Sequence, residues 1–568
     1  MNDKKLLLFI PARSFSFVLM TVLVALLVSA AGSPFRNGPP SATSVGQVLM
    51  QRLIRADVGV GSGGGTPGTA ANFALVGHNS LFDRGMNAAL AIFDHYVYVG
   101  NRTDGSSTCG IGDPRRDVDP NSCPHPHPGI LVVDVADPAA PTVVGEIGPP
   151  YAGLVGITTR ELRVWPDKKL LLVMTFRCSS VIHTCPPGND TTFPFDIKFF
   201  DLSDPVHPAF LSSYIPTSQA GTQVKPHEMY LWVDPKNANR ALLWLSTPST
   251  SVNPARPNLM IVDISQVPAG GPVTEVAEGN WNQLFPGAAN PANYDFDLSL
   301  HSMTPSVDGT RTYLAYLRGG FLVLDTSKVA ANQVPVGQVE SLNDDLLTPI
   351  DKRVTWGAGN QCAGHTAVGC AESHSAVPLP GRPFALTIDE VYGTFTVSSF
   401  GWPWGWARLI NVAQPGQPRL MEEYKIFQNT AAFQGSPEDD AQTEQFTSYS
   451  SHNPTLTRNL ALIAWHSGGL QAVDITDPGS PVQAGWFSPA PLSAVANEDP
   501  ALSRGPNKVV IWSFPIVRDG LIYVIDIRNG LYILRYTGAH ADEVTALRFL
   551  EGNSNLGDAL RLGKSAGP

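Results

Sequence analysis

Residues 129–536 repeat one short phrase seven times: GILVVDVADPAAP, DIKFFDLSDPVHP, NLMIVDISQVP, GFLVLDTSKV, ARLINVAQPGQP, GLQAVDITDPGSP and GLYILRYTG. Each is an apolar run that reaches an acidic position and then turns. That position falls at Asp134, Asp201, Asp263, Asp325, Asn411, Asp474 and Arg535, with gaps of 67, 62, 62, 86, 63 and 61 residues. A near-constant period of this size marks an array whose units bury their faces against their neighbours.

The apolar runs, such as Ile130 to Val133, are rich in β-branched residues and suit a strand covered on both faces. The Asp-Pro or Ser-x-x-Pro that follows closes the strand, because proline cannot extend a ladder and Asp or Ser caps its own backbone in a turn. A second strand is predicted before each phrase, at 96–100, 170–175, 241–246, 312–316, 384–388, 460–465 and 521–526. A further strand follows at 142–146, 209–214 and 482–486, and an inner one precedes at 452–457 and 509–514. Four strands in about 60 residues make one propeller blade. The 52 Gly and 49 Pro supply the tight turns this requires. The prediction is an all-β, seven-bladed propeller of four-stranded blades over residues 72–552. Phe73–His78 resembles the fourth strand of the first blade yet precedes it, so it is expected to be the outer strand of the last blade and to close the ring. The segment Glu543–Leu550 competes for that slot.

The phrases resemble the LVIVD repeat family, found largely in exported proteins of bacteria and archaea. Asp134, Asp201, Asp263, Asp325 and Asp474 keep its acidic position, while Asn411 and Arg535 depart from it. The resemblance spans roughly residues 72–540 and implies a propeller-like fold, but no particular reaction.

Residues 1–31 read as a signal peptide: basic Lys4, Lys5 and Arg13, an apolar stretch from Phe15 to Val28, and the small residues Ser29-Ala30-Ala31. The expected location is therefore extracytoplasmic or secreted, with an uncleaved anchor as the alternative. Residues 32–71 read as a flexible Gly/Pro/Ser-rich linker and 553–568 as a C-terminal tail. The six cysteines fall in close pairs, Cys109 with Cys123, Cys178 with Cys185 and Cys362 with Cys370. In an oxidising compartment, local disulfides explain that spacing better than metal binding does. A net charge of −11 excludes a phosphate-binding groove for nucleic acid.

Four of the 13 histidines open the innermost strands of consecutive blades: His227 in KPHEMYLW, His301 in LSLHSMTP, His374 in AESHSAVP and His452 in YSSHNPTL. Innermost strands line the central channel, so equivalent positions converge on its axis. Four imidazoles at one rim form a donor set for iron, copper, zinc or manganese. Glu228 and Glu372 are the acids placed to orient such ligands, with Asp297 nearby. The other blades offer Glu161, Trp512 and Met86 at matching positions. Carotenoid-cleaving oxygenases and selenium-binding-type propellers are similar in arrangement. Their sequence motifs are missing here, so no catalytic residue is carried over. The competing reading makes each histidine a structural partner of a neighbouring blade.

Other constellations point to structure. His125 and His127 belong to a surface loop, His365 to the Cys362–Cys370 loop, and His466 to a strand end. Residues 113–121 and 438–444 are solvated acidic loops. Trp402, Trp404 and Trp406 pack under the enlarged fifth repeat or stack on a ligand. Two functions follow. One is a scaffold that presents loops to a protein, polymer or small ligand. The other is a metal-dependent oxidoreductase built on the four histidines.

Overall fold

Seven sheets follow one another along the chain, and each is built around one copy of the repeated phrase. The computed structural model describes residues 60–61, 66–102, 126–148, 157–177, 195–253, 255–284, 298–333, 338–339, 348–349, 372–390, 405–414, 417–430, 432–433, 449–497 and 508–564, all within the unit Gly59–Pro568. The expected signal peptide and all six cysteines, with the disulfides expected of them, lie outside the described residues.

Blade I runs Asn87–Phe93, Tyr96–Asn101, Ile130–Asp134 and Thr142–Ile147. Blade II runs Ile157–Trp165, Leu170–Arg177, Asp196–Asp201 and Ala209–Tyr214. Blade III runs Glu228–Val233, Ala241–Ser246, Leu259–Asp263 and Thr274–Gly279. Blade IV runs Ser302–Pro305, Arg311–Ala315, Phe321–Asp325 and Thr348–Pro349. Blade V runs Ser373–Pro378, Phe384–Asp389, Ala407–Asn411 and Arg419–Ile426. Blade VI runs Pro454–Leu456, Leu460–Ala464, Leu470–Asp474 and Val482–Ser488. Blade VII runs Ile516–Arg518, Leu521–Asp526 and Gly530–Tyr536, with Phe73–Asn79 on its outer edge.

The N-terminal strand therefore closes the ring, antiparallel to Gly530–Tyr536 with Phe73 opposite Tyr536 and Asn79 opposite Leu531. The competing segment lies on the other side of that blade, where Phe549–Leu550 pairs with the inner strand Ile516–Arg518. Blade VII departs from expectation in one element. Its inner strand is Ile516–Arg518, not the predicted 509–514, where Ile511 makes only isolated bridges, to His466 and Asp526. The end of the expected linker is also structured. Thr69–Ala71 adds a fifth strand to blade VI, and Val60–Gly61 pairs in parallel with blade V. Outer strands leave unpaired backbone groups, and these segments satisfy them.

The repeated acid does the local work its chemistry predicts. Asp134, Asp201, Asp263, Asp325 and Asp474 each accept a hydrogen bond from the backbone N–H two residues ahead, at 2.7–2.9 Å. Asn411 does the same at 2.9 Å, since its amide oxygen replaces one carboxylate oxygen. A β-bulge recurs between the third and outer strands of blades I, II, III, V, VI and VII. At the bulge of blade VII a Cβ on Gly77 would meet the Pro138 carbonyl oxygen of blade I's turn at 2.0 Å, so only glycine fits.

The core is divided among seams. Seven buried clusters each join two neighbouring blades, and one of them joins VII to I. The third strands are largely apolar because both faces are covered, with Lys198, Arg408 and Gln471 among the polar exceptions. Trp232 and Trp244 fill the III–IV seam, and Trp165 the II–III seam. Truncating one such tryptophan costs about 3–5 kcal/mol.

One end of the channel is plugged. From Phe549 the C-terminal segment crosses from blade VII to blade III, where Ser554 bridges Leu231. The Asn555 side chain accepts from the Val233 N–H and donates to the Val233 carbonyl, both at 2.8 Å. Asn553, Ser554 and Asn555 are loop-like, as expected of a tail, but fully buried. A short helix, Ala559–Gly563, follows.

Candidate metal centre

The opposite end of the inner strands carries the histidines. The backbone N–H groups of His227, His301 and His452 donate to the carbonyls of Ser246, Ala315 and Ala464, at or near the end of the second strand of their own blades. His374 takes the equivalent place at a bulge between Ser373 and Ser375. Equal hydrogen bonds in successive blades fix each side chain at one height, and rotation about the axis does the rest. The ring centroids lie 4.3 Å apart for His227 and His301, 3.8 Å for His301 and His374, and 4.2 Å for His374 and His452. All four predicted residues come together, and His374 and His452 are wholly buried.

Two further residues join them. Glu390 and His466 each lie two residues beyond the last residue of the second strand that pairs with the third, Ile388 in blade V and Ala464 in blade VI. His466 follows a strand end, as expected, at φ 33°, and the turn throws its ring onto the axis 4.9 Å from that of His452. One Glu390 oxygen, Oε2, lies 3.2 Å from His374 Nε2. The other, Oε1, lies 3.2 Å from Nε2 of both His452 and His466. Three overlapping donor groups result: His227, Glu228 and His301; His301, His374 and Glu390; Glu390, His452 and His466.

The hydrogen-bond chemistry of His452 is decisive. Its Nδ1 lies 2.7 Å from the Trp512 carbonyl oxygen, which can only accept, so Nδ1 carries the proton. That bond turns Nε2 toward the Glu390 carboxylate. His374 is placed alike, with Nδ1 2.8 Å from the Ser375 hydroxyl, which itself donates to Asn453 Oδ1. His374 Nε2 and His452 Nε2 are buried against the Glu390 carboxylate at 3.2 Å. A proton on the ring or a metal ion held between nitrogen and oxygen satisfies that contact equally.

Electrostatics keeps the imidazoles in the ligand form. Burial drives His301 down to about 3 and His466 down to about 4. Burial, then the adjoining His301, holds His227 and His374 well below an ordinary imidazole. Burial opposes charge on Glu390, yet positive charge on His374 and His452 and hydrogen bonds from His452 and His466 outweigh it and hold the carboxyl well below its usual range, so the carboxylate is kept ionised beside the rings. Glu228 goes the other way, because burial and then the Glu161 charge raise it well above a normal carboxylate.

The remaining blades line the same space. Trp512 stacks on His466 with planes 1° apart and lies 4.3 Å from the ring of His452. The guanidinium groups of Arg102 and Arg160 sit over the Trp512 ring at 4.5 and 5.0 Å. Met86 packs against Trp512, and buried Glu161 pairs with Arg163. Glu372, expected to orient a ligand, accepts from Arg318 Nε at 2.8 Å. His127 pairs with Glu146 at 3.0 Å, and Trp406 is buried beneath Lys425 and Arg408. His125, His365, Asp297, Trp402, Trp404 and the two acidic loops lie outside the described residues.

The LVIVD repeat profile matches residues 456–488, which are the last three strands of blade VI. The chain carries the LVIVD repeat. No curated protein matches this LVIVD-repeat chain. Among solved structures it is similar to Chaetomium thermophilum Sqt1, with 11% identity, a TM-score of 0.41, and coverage of 82% of this chain and 99% of that one. The periplasmic gluconolactonase PpgL of Pseudomonas aeruginosa gives 11%, 0.39, 72% and 86%. The β-propeller domain of Myceliophteria thermophila Cps50 (Swd1) gives 11%, 0.38, 82% and 99%. Likeness at this level carries no argument about activity. Among the described residues no helix is long and apolar enough to cross a membrane.

Proposed function

We propose that the histidine hub binds a first-row transition metal and that this LVIVD-repeat propeller is an exported, metal-dependent oxidoreductase acting on a small substrate. The observation that carries the reading is the convergence of His301, His374, His452 and His466 on the buried Glu390 carboxylate, with His452 oriented through its other nitrogen by the Trp512 carbonyl. Ligating histidines are typically tied through their other nitrogen in this way. Imidazole with carboxylate suits iron, copper, manganese or zinc, of which the first three carry redox chemistry. The metal would supply electron transfer or activation of a bound small molecule. The chain's own part is to hold the ligands rigid, bury them and keep their nitrogens unprotonated. The Arg102 and Arg160 guanidinium groups add positive charge on the Trp512 side, favouring an anionic substrate.

The test is elemental analysis of the mature protein, purified without a histidine tag. About one equivalent or more of iron, copper, manganese or zinc, reduced by at least half in His452→Ala, supports the reading. Less than about a tenth of an equivalent after metal supplementation overturns it. The scaffold reading rests on a different observation. Leu75, Val144, Leu211, Met421 and Val482, all on outer strands, are exposed. They stand one to a blade on five blades, so a protein partner would meet separate apolar points and not one patch.

A further inference from the structure

We propose that the hub is a dinuclear centre, two ions bridged by the Glu390 carboxylate; this rests on the metal-binding reading above. Glu390 is buried, and its two oxygens face different donors. Oε2 looks to His374, in the group that also contains His301. Oε1 looks to His452 and His466. One ion cannot serve both groups without leaving some nitrogens unused, whereas a bridging carboxylate gives each ion an oxygen and two imidazoles.

The separations fit. Two donors each about 2.1 Å from one ion and 3.2 Å apart subtend roughly 100° at it, between octahedral and tetrahedral angles. A carboxylate bridge holds two ions about 3.5–4 Å apart.

His227 takes a different role in this scheme. Its Nε2 lies 2.8 Å from His301 Nε2, so one ring donates to the other. That leaves His301 Nδ1, buried without a hydrogen-bond partner, as the atom offered to the first ion. His227 is a positioning residue for His301, as the Trp512 carbonyl is for His452.

The experiment uses the full mature chain, stripped of metal and reconstituted with Mn(II). Bound metal is counted after desalting, and the electron paramagnetic resonance spectrum is recorded. About two equivalents with an exchange-coupled spectrum are expected. His466→Ala should hold about one equivalent and show the six-line spectrum of an isolated ion. Glu390→Gln should lose the coupling. One equivalent with a six-line spectrum in the unaltered protein overturns the bridge and leaves the metal-centre reading standing. No retained metal overturns both. The wild-type count decides the matter even if a variant fails to fold.

Discussion

Two positions recur blade after blade in this molecule, and they behave in opposite ways. The acid that ends the third strand is satisfied within its own turn, and Asp134, Asp263 and Asp474 make the same bond in the same place. The histidine that opens the inner strand reaches beyond its own blade in three of its four copies; His374 alone is held by Ser375 and Glu390 of its own blade. His301 leans on His227, His452 takes its second contact from Trp512 of the next repeat, and both His374 and His452 face Glu390. A repeated residue with a local partner builds the array. A repeated residue whose partners come from other repeats uses the array, and it appears in only four consecutive blades because the site needs no more.

The largest expected effect tests the second half of that contrast. His452→Ala should remove at least half of the bound metal while near- and far-ultraviolet circular dichroism stay those of the folded ring. Unchanged metal content would make the hub as local as the turns. Gly77→Ala probes where turn and ring meet. Its Cβ would collide with the Pro138 carbonyl oxygen, so we expect a loss of about 2 kcal/mol in urea unfolding with no change in metal content. Asp263→Ala removes one turn bond and should cost about 1 kcal/mol, whereas Asn411→Asp, which keeps the accepting oxygen, should fall within a few tenths. Metal content should not change in either.

The smallest effect is a pH slope far from the hub. Glu278, in the outer strand of blade III, is raised from 4.5 to about 7, by burial and then by the neighbouring Glu275 charge. A raised carboxyl contributes stability while the folded form holds its proton. That contribution is complete below the unfolded value of 4.5 and is lost as pH rises through about 7. Glu278→Gln should therefore flatten the decline in melting temperature across that window. An identical decline in the variant would place the titrating group elsewhere.

Much of this architecture is legible in the amino-acid order. Strand pairs such as Ala241–Ser246 and Leu521–Asp526 fall where apolar runs and turns predict them, because those signals are local. The four histidines were legible because period and strand position together imply convergence. Glu390 was not. It sits just past a strand end, in a stretch with no metal-ligand spacing, and only the register of blade V aims it at the axis. A signal for His466 existed in the match between AYLRGGFLVLD and AWHSGGLQAVD, which places it opposite Leu317 at a positive-φ turn. Glu372 was the reverse case. It lies close to His374 in sequence, yet its carboxylate is engaged by Arg318, which no spacing rule foretells.

The strand Phe73–Asn79 is made early and meets its partner late: His78 Nε2 finds the Asn529 carbonyl across 451 residues. A growing or translocating chain must therefore keep that strand waiting, unpaired, until nearly all of its length has emerged. Completion becomes a single late event in which first and last segments arrive together, and a product cut short by a few dozen residues is left with a sticky open edge at each end.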